Sequence, residues 1–304
     1  MSSAKKQNEK LKKRAASVSI TVAVLLCFIK GLAFLYTDSL AVLSSMIDSL
    51  SDIMASVVTL FAVRISTKPA SSSYRYGYGK VESLSALFQA GFIAAAGLFI
   101  LYDAVIKIWH PTPLQQTPVG ILVMIICMLS SIFLVIYQRH IAQKTHSIAI
   151  LADSAHYSID ILTNLSIILS LIAIHLWNIY WLDGILAGLV SIYLLVSAFT
   201  LGRDATRLLL DKELDKAIRE HIAKIVHHHP LSLALHDLRT RDLGGTYMFE
   251  FHLELDGNMT LKQAHKHTEE IENMIKKHYP SAQIIIHQEP SGIQDERLDN
   301  SLKE

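Results

Sequence analysis

Six apolar runs constrain this chain more than any other feature. A bilayer crossing takes about 20 residues of helix, and runs of that order lie at about 16 to 36, 40 to 64, 83 to 108, 118 to 138, 147 to 175 and 180 to 201. In hydrocarbon every backbone N–H and C=O must find a partner within the structure, so runs of this length are read as helices. The 304 residues are 51% hydrophobic and 18% charged, against about 25% charged in an average soluble domain. The expected fold is therefore a membrane all-α six-helix bundle over residues 1–208, followed by a smaller, more polar part.

Orientation follows from the connections. Lys and Arg crowd the N-terminal stretch from Lys5 to Arg14, the second connection (Arg64, Lys68, Arg75, Lys80), the fourth (Arg139, Lys144) and the segment after the sixth run (Arg203, Arg207, Lys212). The first, third and fifth connections hold almost none, so both termini are expected in the cytoplasm. The N-terminal stretch reads as a retained cytoplasmic flank, because the apolar run behind it is too long for a signal-peptide core. Trp109, Trp177, Tyr180 and Trp181 gather at the opposite ends, as an interfacial belt would.

The second and fifth runs are the least hydrophobic, and each contains two potential metal ligands four residues apart: Asp48 with Asp52, and His156 with Asp160. On a helix that spacing puts both side chains on one face. An Asp at a helix centre costs roughly 2.5 to 3.5 kcal/mol on insertion scales, so three of them cost on the order of 8 to 10. Three carboxylates and an imidazole suit a divalent ion of borderline hardness such as Zn²⁺; the competing reading is a hydrogen-bonded polar cluster that only ties helices together. Asp153 is expected behind His156 or facing water. Lys30 is expected to stretch along its helix towards the outer interface near Asp38. Small residues at Ala86, Ala90, Ala94 and Gly97 of the third run suit close helix packing, within one protomer or between two. Cys27 and Cys127 lie in apolar surroundings and make no thiolate site.

After about residue 208 the texture changes. Residues 213–228 have helical periodicity, 234–242 and 246–256 alternate as strands around Gly244-Gly245, 260–278 form an amphipathic helix, and 283–287 a final strand. The result is an α+β domain of αββαβ order over 209–290, with a polar tail at 291–304 that is expected to be disordered. Ten of the chain's fifteen His lie beyond residue 220. On the second strand Tyr247, Phe249, Phe251, Leu253 and Leu255 are expected to be buried, leaving His252 on the polar face with Glu250 and Glu254. His236, His265, His267, His287, Gln288 and Glu289 are further candidates for a structural or regulatory metal. The run His227-His228-His229 reads as a helix end followed by a turn.

These pairs, the phrase Tyr76-Gly77-Tyr78-Gly79-Lys80-Val81-Glu82-Ser83 and the segment His236-Asp237-Leu238-Arg239-Thr240-Arg241 resemble the cation diffusion facilitator family over about residues 10 to 290, closest to its bacterial zinc and iron efflux members. The resemblance implies a homodimeric metal/proton antiporter of the bacterial inner membrane, with a metallochaperone-like cytoplasmic domain and a transport site of Asp48, Asp52, His156 and Asp160. By the same motif match the dimer-interface metal site falls on His236, His252, His265, His287 and Glu289, where relatives often carry Asp. The loop in which relatives bind another metal through Asp and His here offers Ser71, Tyr74 and Tyr78, so that site is expected to be missing. Lys80 and Asp211 match a charge pair between protomers.

The expected activity is efflux of a divalent cation, Zn²⁺ before Cd²⁺ or Fe²⁺, by alternating access and proton exchange. Export against about 100 mV costs roughly 4.6 kcal/mol for a divalent ion, and each entering proton returns about 2.3, so coupling is required. No GxxxxGK[ST] loop occurs, which argues against ATP as the driver. A net charge of +1 gives no electrostatic reason to expect nucleic acid. Two rival readings are an intramembrane metalloenzyme, against which stands the lack of His-Glu-x-x-His, and a membrane-anchored metal sensor.

Overall fold

The computed structural model describes residues 3–37, 40–110, 118–177, 179, 181–292 and 297. The chain divides into two compact units, one over Gln7–Thr206 and one made of Met1–Lys6 and Arg207–Glu304. The first holds the long helices α1 (Ser3–Thr37), α2 (Leu40–Ser66), α3 (Val81–Trp109), α4 (Pro118–Thr145), α5 (Ile148–Trp177) and α6 (Leu182–Leu209). All six are long and apolar enough to cross a membrane. The basic N-terminal flank continues α1, since it contains no helix breaker. Outward faces carry large apolar side chains, with Phe28, Phe133 and Phe199 more than half exposed, a surface suited to lipid.

Small residues set the interior. Ala86, Ala90 and Ile93 of α3 pack with Ala152 and Ile159 of α5 and Leu194, Ala198 and Leu201 of α6. The small stripe of α3 is thus used within one protomer: Ala86 and Ala90 are buried, and a Cβ on Gly97 would stand 3.2 Å from the Leu195 side chain. Gly184 is more constrained, because a Cβ there would meet Ile108 Cγ1 at 2.7 Å and the Ala104 carbonyl oxygen at 2.9 Å. Only glycine allows α3 and α6 to approach so closely.

A buried ionic knot ties the helix ends of this unit. Lys12 Nζ of α1 donates to Glu82 Oε1 of α3 at 2.8 Å, and the same carboxylate accepts from Ser66 Oγ at 2.8 Å and Ser147 Oγ at 2.5 Å. Lys12 and Glu82 are 8% and 4% exposed, so each charge depends on the other. In the connection between α2 and α3, the Ser71 hydroxyl and the Tyr78 phenol share a 3.0 Å hydrogen bond, with the Tyr74 ring 4.8 Å from that of Tyr78.

The second unit runs α7 (Lys216–His227), β1 (Ala234–Asp242), β2 (Tyr247–Leu255), α8 (Leu261–His278) and β3 (Gln283–Pro290), which is the expected αββαβ order. The sheet order is β1-β2-β3; β1 and β2 are antiparallel, and α8 provides the crossover that makes β2 and β3 parallel. α7 starts later than its periodicity suggests, because the Glu213 carboxylate is used elsewhere, accepting the Thr240 backbone N–H at 2.9 Å and its hydroxyl at 2.5 Å. β3 is longer than expected, its pairing with β2 running on to Leu255 and Pro290. Gly244 and Gly245 have φ of 89° and 87°, and the Asp242 carboxylate accepts both of their N–H groups at 2.8 and 2.6 Å. That turn needs residues tolerant of positive φ.

One sheet face is buried under both helices. Ile222, Ile225 and Val226 of α7 and Ile271 and Ile275 of α8 meet Phe249, Phe251, Leu253 and Leu255 of β2. Each such side chain contributes roughly 1.5 to 3 kcal/mol on burial. Tyr247 is half-buried, while Met248 of the opposite face is 2% exposed beneath the Arg241 guanidinium. α8 begins with a reciprocal cap: Thr260 Oγ1 accepts the Gln263 N–H, and the Gln263 side chain accepts the Thr260 N–H at 2.9 Å. The expected tail at 291–304 falls mostly outside the described residues.

Candidate functional site

Two sets of ligand-bearing side chains are assembled, by different means. In the helical unit α5 packs against α2, α3 and α4, and the i, i+4 spacing turns one face of α2 and one of α5 towards a shared cavity. This cavity, of about 590 Å³, is lined by Asp48, Asp52, His156 and Asp160 among others. His156 Nε2 lies 2.9 Å from Asp52 Oδ1. Asp52 is 6% exposed, His156 and Asp160 are half-buried, and Asp48 is exposed. Among the described residues no three of the four bring their ligand atoms within 4.8 Å of one another. The cavity therefore gathers all four but closes only one pair.

Two neighbours differ from expectation. Asp153 neither faces water nor hydrogen-bonds His156: it is 0% exposed and accepts from Ser19 Oγ and Gln138 Nε2, each at 2.5 Å, and more weakly from Ser56 Oγ at 3.4 Å. It joins α1, α2 and α4 to α5. Lys30 does not stretch to the outer interface. It turns inward, donating to Ser49 Oγ at 2.7 Å and the Ser45 carbonyl at 3.1 Å, and lines the same cavity. An ammonium in the same cavity as the carboxylates lowers the cost of holding their charge there, which stretching along the helix would not. Asp38, its expected neighbour, lies outside the described residues, as do Tyr180 and the Trp177 side chain; Trp109 and Trp181 are exposed.

In the α+β unit the register does the assembling. His236 pairs with His252 across the antiparallel ladder, and His252 with His287 across the parallel one, so three imidazoles form a row over three strands. Glu254 and Glu289 pair one step further along the same face. His236 Nε2 lies 3.1 Å from Glu289 Oε2, and His252 Nδ1 lies 2.6 Å from Glu289 Oε1. His287 Nε2 approaches Glu289 less closely, at 3.5 Å. His236 is 5% exposed, and its Nδ1, 3.4 Å from Glu254 Oε1, makes no hydrogen bond. The ladder slips just after His236, where Asp237 has φ of 51°. A buried imidazole with an unsatisfied ring nitrogen beside a carboxylate fits a metal ligand. His265 stands apart on α8, exposed and 3.6 Å from Glu269.

A second cluster joins His267, a candidate from the sequence, to His229 and Glu270, which are not. His229, just beyond α7, places Nε2 3.2 Å from Glu270 Oε2, and His267 places Nδ1 3.1 Å from the same oxygen. Those hydrogen bonds, that of His267 foremost, hold the Glu270 carboxyl below the usual carboxylate range. His267 and Glu270 share a face of α8 at i, i+3, a spacing visible in sequence; the return of His229 onto that face is not. Asp211 lies 3.5 Å from Arg241.

Six apolar helices, with α1 to α5 lining a carboxylate and imidazole cavity, joined to an α+β domain with histidine clusters, define a multi-pass membrane transporter. The chain belongs to the cation efflux family: the model of the cation efflux transmembrane domain matches residues 16–210, and that of the cation efflux protein cytoplasmic domain matches residues 214–291. It is a transporter, not an enzyme. The cation-efflux pump FieF of Shewanella oneidensis is 36% identical over 282 residues, covering 93% of this chain and 95% of that protein. FieF of Citrobacter koseri is 39% identical over 285 residues, covering 93% and 94%. Among solved structures, the metal-bound C-terminal domain of the CzcD transporter from Thermotoga maritima matches 27% of this chain and 100% of that one, at 27% identity and a TM-score of 0.26.

Proposed function

We propose that this protein exports a divalent cation, Zn²⁺ before Cd²⁺ or Fe²⁺, from the cytoplasm in exchange for protons. Residues 1–208 form the transport half, with Asp48, Asp52, His156 and Asp160 as the cargo ligands; residues 209–290 form a cytoplasmic half that binds metal and joins two protomers. Both termini face the cytoplasm of a bacterial inner membrane. The observation that carries this reading is the shared cavity, which two carboxylates of α2 line together with an imidazole and a carboxylate of α5. FieF relatives matched along nearly the whole chain support efflux as the direction.

The chemistry follows from the ligands. Zn²⁺ takes deprotonated groups, so its arrival displaces the proton shared by His156 and Asp52, and reprotonation from the far side releases the ion. Imidazole titrates near neutrality, which makes His156 the natural exchange group. Lys30, lining the same cavity, offsets part of the carboxylates' negative charge. In the cytoplasmic half His236, His252, His287 and Glu289 hold metal, and His265 completes the set from the second protomer's side of a homodimer.

Reconstituted proteoliposomes test this. Zinc should enter inside-out vesicles from the wild-type chain and not from Asp52→Ala or Asp160→Ala. Zinc binding without flux under any gradient would instead make the protein a membrane-anchored sensor.

A further inference from the structure

We propose that His229, His267 and Glu270 form a second, exchangeable zinc site in the C-terminal domain, separate from the His236, His252 and Glu289 cluster. Their ligand atoms all lie within 4.8 Å of one another. The 3.2 Å and 3.1 Å separations from Glu270 Oε2 to the two imidazole nitrogens are close to the edge of a zinc tetrahedron, about 3.3 Å for bonds near 2.0 to 2.1 Å. No large rearrangement is needed to admit the ion.

The placement is built rather than incidental. His229 is 7% exposed at the end of α7, where its backbone N–H bonds the Val226 carbonyl at 3.1 Å and fixes the turn. Pro230 follows and cannot continue the helix. His267 and Glu270 project from α8 on one face, and the two imidazole centroids are 5.7 Å apart. An ion held here would therefore join the end of α7 to α8. These residues belong to the helix layer, whereas His236, His252 and Glu289 all lie on the strands.

Two imidazoles and one carboxylate leave a fourth position for water, which suits an ion that comes and goes. The set contains nitrogen, so it selects Zn²⁺ over Mg²⁺, which prefers oxygen ligands in octahedral order. Binding has a local cost: the Leu231 N–H contact to His229 Nδ1, long at 3.4 Å, is given up, because that nitrogen must carry the proton once Nε2 takes the metal.

The test uses the full chain in detergent with zinc alone. Diethylpyrocarbonate modification of His267, half-buried and reachable, is read by peptide mass spectrometry. Zinc is expected to protect His267 while Mg²⁺ does not, and Glu270→Gln is expected to raise the zinc concentration for half-protection by about tenfold or more. His252→Ala, which cuts the other cluster, is expected to leave that concentration unchanged. Equal modification with and without zinc in the wild-type chain overturns the site, without relying on any variant folding. So does protection indifferent to Glu270→Gln, and so does protection that follows His252→Ala.

Discussion

The membrane cavity and the histidine row of the α+β domain use the same ligand chemistry under opposite constraints. In the cavity Asp48, Asp52, His156 and Asp160 are brought to one space, but only His156 and Asp52 touch, at 2.9 Å. On the sheet, Glu289 is already within 3.1 Å of His236 and 2.6 Å of His252. In the proposed function the cavity has to release its ion on each cycle, so ligands that close only when cargo arrives are an advantage. A site that holds metal gains from ligands set by strand register, because less ordering remains to be done on binding.

Several substitutions would break or sharpen that contrast. Asp52→Ala or Asp160→Ala should abolish zinc flux in proteoliposomes, a drop of about a hundredfold or more, while zinc retained by the C-terminal domain stays the same. Glu82→Leu tests what the buried knot contributes to the helical unit. Leaving Lys12 buried without its partner should cost about 3 to 5 kcal/mol in an unfolding measurement, and the double change Lys12→Met with Glu82→Leu should recover most of it. Failure of the double change to recover would mean that packing, not charge, holds the knot. His252→Ala should weaken zinc binding by the C-terminal domain by about ten- to a hundredfold in equilibrium titration. The smallest effect is expected for Thr260→Ala, which removes the cap of α8 and should cost about 1 kcal/mol in the thermal stability of that domain.

The cavity was nearly legible in the sequence, because a carboxylate inside an apolar run is costly and its i, i+4 partner declares the face. The direction of Lys30 was not, since a long side chain can run either way along a helix and only the Ser45 and Ser49 acceptors decide it. Nor was the Lys12 to Glu82 knot, which joins residues 70 apart. In the α+β domain, period-two alternation gives the polar face of β2. The row His236, His252, His287 depends on which residue faces which across two ladders, and one residue of slip would reverse the face. His229 meets α8 only because the turn after α7 folds back. Such contacts arise from tertiary packing and leave no periodic trace.

Proton coupling is the most direct test of the account. With a pH-sensitive dye inside proteoliposomes, zinc added on the cytoplasmic side of the wild-type chain should make the lumen alkaline as zinc accumulates, and His156→Ala should lose both signals together. Zinc accumulation with no change in luminal pH would contradict antiport around this cavity.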